Sequence, residues 1–145
     1  MKKLTEHFAL EEFTVSETAD ELGLDNTPTE EHEHHLQALA EAMEKVRALF
    51  NSAITITSGY RSPEVNKAVH GVANGDHPLG FACDFHVSGI SDFNAAKRIR
   101  DSNLTWDQLI WERGRCVHFS IHPRMRRQVL SQHGGPGTPT TPNIA

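Results

Sequence analysis

Ser58-Gly-Tyr-Arg-Ser62, His77-Pro-Leu-Gly-Phe-Ala-Cys-Asp84 and, further on, Cys116-Val-His-Phe-Ser120 decide how this chain is read. Ile54-Thr-Ile-Thr57 ahead of the first stretch is β-branched, and Ala82–Val87 and Cys116–Ile121 carry the apolar residues of buried strands. Asp84 is flanked by Ala82, Cys83 and Phe85, and His118 by Val117, Phe119 and Ile121. A lone carboxylate in such a setting is costly to bury, and a metal ion removes that cost. His77, Asp84 and His118 are therefore three potential ligands. Two nitrogens and one carboxylate suit zinc and leave a fourth tetrahedral position open, as in catalytic sites. His77 sits in a loop and Asp84 on the strand that follows, so the two can converge on one ion.

Working outward, the remaining elements follow from periodicity and caps. Thr5 to Leu24 reads as a short helical region, with Ser16 as a cap and Gly23 as a stop. Thr29, after Pro28, caps a long helix over Glu30–Phe50. Its apolar residues Leu36, Leu39, Ala40, Met43, Val46 and Leu49 fall at helical spacing, and Glu30, Glu31 and Glu33 complement its dipole. Pro63 opens a helix to about Val69, and Ser91–Asp101 is another, with Phe93, Ala96 and Ile99 inward. Gln108–Glu112 and Cys116–Ile121 form a hairpin around Arg113-Gly114-Arg115. The expected fold is α+β: N-terminal helices packed on a small antiparallel sheet that carries the zinc site. Residues 1–133 form one catalytic domain, and 134–145, rich in Gly, Pro and Thr, a flexible tail.

With 145 residues the chain makes one domain that needs no disulfide. Fourteen basic against nineteen acidic residues, a net charge of −5, argue against nucleic acid and give no attraction to anionic membranes. No apolar run is long enough to span a bilayer, and Met1-Lys-Lys-Leu-Thr-Glu-His lacks a signal-peptide core. The protein is expected to be cytoplasmic at synthesis and monomeric. Cys83 and Cys116 are then read as reduced thiols. Strand parity puts Cys83 on the face opposite Asp84, and Cys116 on the face of His118.

Several further residues are candidates. Glu112, opposite Cys116 across a three-residue turn, reaches the end of the ladder that bears His118. It is read as the proton shuttle, against a salt bridge to Arg113 or Arg115. Arg61, after an apolar strand, suits recognition of a carboxylate. Ser62 suits the cap of the helix at Pro63 better than a nucleophile. His86 shares the face of Asp84, where it either meets substrate or orients a ligand, or is simply packed. His122 offers the same choice more weakly. His32, His34 and His35 read as a solvated helix face rather than a second metal site. Metal, water and anion binder together suggest hydrolysis of a peptide near a carboxylate.

Over residues 6 to 130 the chain resembles the zinc D-alanyl-D-alanine carboxypeptidases of the hedgehog/DD-peptidase superfamily. The family's Ser-Gly-Tyr-Arg-Ser matches Ser58–Ser62, its Ser-x-His-x-x-Gly-x-Ala-x-Asp matches Gly75–Asp84, and its Trp-Val-His-Val-Ser matches Cys116–Ser120. His7-Phe8 through Asn26-Thr-Pro28 is similar to the helical lead-in of phage and prophage members. The chain departs from the pattern at Gly75 and Cys116, and has Arg115-Cys-Val-His118 where other members have Glu-x-x-His, with Glu112 the nearest carboxylate. The resemblance implies one zinc per chain on His77, Asp84 and His118. Substrate contacts fall to Arg61, Ser62 and His86, and the substrate is a bacterial peptidoglycan peptide. The activity implied is carboxypeptidase or endopeptidase, as in a phage endolysin. The alternative is a non-catalytic, zinc-stabilised wall-binding or phage structural module.

Overall fold

The computed structural model describes residues 2–145. A 3-10 turn, Leu10–Phe13, precedes helix α1 (Glu17–Leu22), α2 (Glu30–Phe50), strand β1 (Ile54–Ser58) and α3 (Pro63–Ala68). A second 3-10 turn, His77–Leu79, leads into β2 (Ala82–Val87), followed by α4 (Asp92–Arg100), β3 (Gln108–Glu112), β4 (Cys116–Ser120), β5 (Gln128–Gln132) and β6 (Thr141–Pro142). One six-stranded sheet has the order β1-β2-β4-β3-β5-β6.

α2 forms where its sequence signals predict. Thr29 Oγ1 accepts from His32 N at 3.2 Å, and Asn51 ends the helix in the left-handed region with φ 48°. Its buried stripe is Leu36, Leu39, Ala40, Met43, Val46 and Phe50. That stripe packs with Cys83, Phe85 and Val87 of β2, Leu109 of β3, and Val117 and Phe119 of β4 in one core. Full burial of each large aliphatic or aromatic side chain contributes on the order of 1.5–3 kcal/mol. Period-two alternation then turns the intervening side chains of these strands to the sheet's other face. Asp84 pairs with His118 across β2–β4, and Ile110 with His118 across β3–β4, so polar and apolar duties are divided by parity.

The α+β class is as expected, but the sheet is mixed. β5, which the sequence reading did not anticipate, runs parallel to β3, Gln108↔Gln128 through Glu112↔Gln132. The crossover from β4 is only residues 121–127, and Asp107 pins it. Arg126 donates to Asp107 through its backbone N at 3.0 Å and its side chain at 2.8 and 2.9 Å; Arg124 adds a bond at 3.1 Å. Gln128 N donates to Asp107 O, and Met125 and Arg127 take positive φ to complete the turn. Arginines in Met-Arg-Arg-Gln hid this strand, because local composition signals a loop where a buried carboxylate imposes a strand. The expected helical region 5–24 is broken into the 3-10 turn and α1 by Thr14 and Val15.

The segment expected as a flexible tail is laid on the sheet. Thr141–Pro142 pair with β5, Asn143 N donates to Val129 O at 2.8 Å, and Ile144 is buried in the core. An apolar residue at the penultimate position supplies the anchor that composition alone obscured.

Candidate metal centre

β2 and β4 place Asp84 and His118 as cross-strand neighbours, and the 3-10 turn before β2 brings His77 over them. All three are buried. Asp84 Oδ1 lies 3.0 Å from His118 Nδ1 and 3.3 Å from His77 Nε2, and the two rings are 5.1 Å apart. A tetrahedral ion with bonds near 2.0–2.1 Å holds its ligand atoms roughly 3.3 Å apart, so the three atoms have the spacing of a ligand set. His77 Nδ1 is 2.7 Å from Gly59 O. A carbonyl only accepts, so Nδ1 carries the proton and the Nε2 lone pair faces the cluster. Burial would push the Asp84 carboxyl up, but His77 and His118 hold it well below the usual carboxylate range. His118 is pulled down by burial and, on balance, raised by its bond to Asp84. The donor set and its geometry fit a divalent metal such as zinc.

Arg61 stands behind Asp84. Its Nη2 is 3.0 Å from Asp84 Oδ2, its Nε 3.0 Å from Ser58 Oγ and its Nη1 3.3 Å from Asn66 Oδ1. Asn66 is buried and donates to Val72 O at 2.9 Å. Gly71 permits this packing: a Cβ there would lie 2.0 Å from Asn66 Oδ1 and 3.0 Å from Arg61 Nη1.

Glu112 ends β3 opposite Cys116, as the three-residue turn predicts. Its Oε2 is 4.0 Å from His118 Nδ1, while its Oε1 accepts from the Cys116 thiol at 3.3 Å and faces Arg115 Nη1 at 3.3 Å. Glu112 thus faces His118 with one oxygen and Arg115 with the other. Cys116 lies on the metal face; burial, with Asp84 and Glu112 nearby, pushes its thiol up. Cys83 faces the core, and burial raises its thiol well above the ordinary range. Both cysteines are free.

The three candidate ligands, Arg61, Glu112 and Cys116 line one cleft of about 710 Å³, which His86, Arg124 and Arg126 also border. His86 donates through Nδ1 to Asp92 Oδ1 at 2.8 Å and stays half exposed. Ser62 does not line the cleft. Its Oγ accepts from Val65 N at 3.3 Å, capping α3. His35 stacks on Phe81 at 4.0 Å, His122 meets the same ring edge-on at 5.3 Å, and His32 packs on Tyr60 at 4.8 Å. These histidines serve packing. The sequence reading missed Asn66, the Asp76–Arg124 bond at 3.1 Å beside His77, and the Asp92 partner of His86. Asp76 directly precedes His77, but nothing local ties it to an arginine 48 positions on.

Two imidazoles and a carboxylate converge in a solvent-open cleft, with the Arg115-paired carboxylate of Glu112 at their edge, a donor set that could hold one metal ion. The chain belongs to the peptidase M15 family, whose profile matches residues 6–120. That span contains all three candidate ligands, Arg61 and Glu112. No curated protein sequence matches the chain.

Proposed function

We propose that the protein is a zinc peptidase that hydrolyses peptidoglycan stem peptides at a bond next to D-alanine. The observation that carries this reading is the convergence of His77, Asp84 and His118 in the cleft, with Glu112 Oε2 4.0 Å from His118. One zinc per chain, held by those three residues, would supply Lewis acidity and a water acidified toward neutral pH. The protein's own groups do the rest. Gly59 O fixes the His77 tautomer, and Arg61 holds Asp84 by the oxygen that turns away from the histidines. Glu112 takes the proton of the attacking water and passes it to the leaving amine, the order that general base and then acid catalysis requires. Arg61 lines the cleft and has N–H groups left over after its three bonds, which would serve a carbonyl or carboxylate oxygen of the substrate. His86 offers its exposed ring to the substrate chain.

An endolysin role belongs to the same reading, supported by the likeness of residues 7–28 to phage members. The test is digestion of purified peptidoglycan by the zinc-loaded protein, with muropeptides read by mass spectrometry. Zinc-dependent loss of alanine or splitting of cross-links is expected, and chelation should abolish it. Wall binding without any new muropeptide would turn the reading to a non-catalytic module.

A further inference from the structure

Asn26 stands in the loop between α1 and α2, outside every element that bears a candidate ligand. Its side-chain amide nevertheless bonds backbone from three distant places in the chain. Nδ2 donates to Thr14 O at 2.8 Å and to Tyr60 O at 3.1 Å, and Oδ1 accepts from Ser62 N at 2.7 Å. These partners also settle which end of the amide is nitrogen, because the carbonyls only accept and the backbone N–H only donates.

Tyr60 O and Ser62 N belong to the two peptide planes on either side of Arg61 Cα. A peptide plane is rigid, so holding both of them fixes φ and ψ of Arg61. The plane before them is held as well, since Tyr60 N donates to Phe13 O at 2.7 Å. Gly59 makes that approach possible: a Cβ there would lie 2.5 Å from Phe13 O and 2.7 Å from Phe13 Cα. Three successive planes therefore rest on the N-terminal segment, through Phe13 and Asn26.

The same planes carry the groups that orient two of the candidate ligands. Gly59 O accepts from His77 Nδ1 at 2.7 Å, and Arg61 N donates to His77 O at 3.3 Å, so His77 is gripped by its ring and by its backbone. Arg61 Nη2 reaches Asp84 Oδ2 at 3.0 Å. A shift of the Gly59–Arg61 backbone would thus move His77 and Asp84 together.

We propose that Asn26 is a positioning residue of the metal centre, a role that rests on the reading of His77, Asp84 and His118 as zinc ligands. It touches neither the ion nor the substrate. It pre-orients the backbone whose carbonyl sets the His77 tautomer and whose guanidinium holds Asp84. If Asn26 only closed the loop between the helices, its loss would lower stability and leave metal binding alone.

The test measures zinc affinity by competition with a chromophoric chelator, at a temperature where every variant is folded. Ser16→Ala is the control. It removes the α1 cap, whose Oγ accepts from Ala19 N at 3.1 Å, and so loosens the same segment without touching the clamp. Asn26→Ala should bind zinc roughly tenfold more weakly than wild type, the lower end of what a group orienting a metal ligand is worth. Ser16→Ala should lower the melting temperature and leave zinc affinity unchanged. Asn26→Asp keeps the shape and the bond from Ser62 N but loses both donors; it should weaken zinc binding too, and it decides the matter if Asn26→Ala does not fold. Wild-type zinc affinity in the Asn26 variants, with only the melting temperature lowered, overturns the positioning role and leaves the metal centre intact. Equal weakening in Ser16→Ala overturns it as well, because the loss would then follow general loosening of the segment. No zinc binding by wild type overturns the ligand reading itself.

Discussion

Arg61 Nη2 sits 3.0 Å from Asp84 Oδ2, while the other oxygen of the same carboxylate faces His77 and His118. One carboxylate is thus shared between a guanidinium and the candidate metal position. Arg61 was legible in the sequence as a carboxylate binder, and the carboxylate it binds in the structure is the protein's own. That gives it a hold on ligand orientation besides any contact with substrate.

Arg61→Lys should weaken zinc binding by about 10–100-fold, as loss of a group that orients a metal ligand does. The lysine keeps the charge but cannot hold Ser58, Asn66 and Asp84 at once. Competition with a chromophoric chelator measures the affinity. Unchanged zinc affinity with only a raised KM would confine Arg61 to substrate binding.

Zinc should raise the melting temperature of wild type, since a ligand that binds only the folded state stabilises it by mass action. His118→Ala should lose that response. Thermal scans of apo and zinc-supplemented samples check it, and an equal upward shift in the variant would remove His118 from the ligand set.

Glu112→Gln should retain zinc and the fold, because the amide is isosteric with the carboxylate. Turnover on wall peptides should fall by roughly two to four orders of magnitude, the usual share of a general base. Activity unchanged beside full zinc content would move proton transfer to another group, with His86 next in line on the same face of the cleft.

The convergence of His77, Asp84 and His118, and the elements from α2 through β4, were legible for one reason. Each ligand lies in or beside a short apolar strand, where a charged group needs a partner, and strand parity then fixes its face. The same parity rule put Cys83 on the face opposite Asp84 and Cys116 on the face of His118. β5 and the course of 134–145 were not legible. Their pairing depends on Asp107 and on Ile144 reaching across the fold, and no local pattern encodes contacts at that sequence distance. Arg61 was ambiguous for a related reason: Asp84 is 23 residues away, and only the β1–β2 pairing brings them together.

Asp107 shows no exposed surface, and burial alone would push its carboxyl up. The bonds from Arg126, with Arg124 beside it, bring it down to about 2 instead. Its folded value is therefore below the unfolded one, which lies near 3.9. The sign follows: the stabilisation is fully present above the unfolded value and is lost as pH falls through about 2. Both arginines are partly exposed, at 46% and 40%, so solvent screening trims the effect to roughly 2 kcal/mol. Asp107→Asn should lower stability by about that amount at pH 7, since it unpairs the crossover between β4 and β5. Toward pH 2 the gap between variant and wild type should close, because wild type is then losing the same charge. Urea denaturation of both proteins at pH 7, 4 and 2.5 measures the gap directly. A difference that stays constant across this series would mean that Asp107 acts through packing and neutral hydrogen bonds, not through its charge.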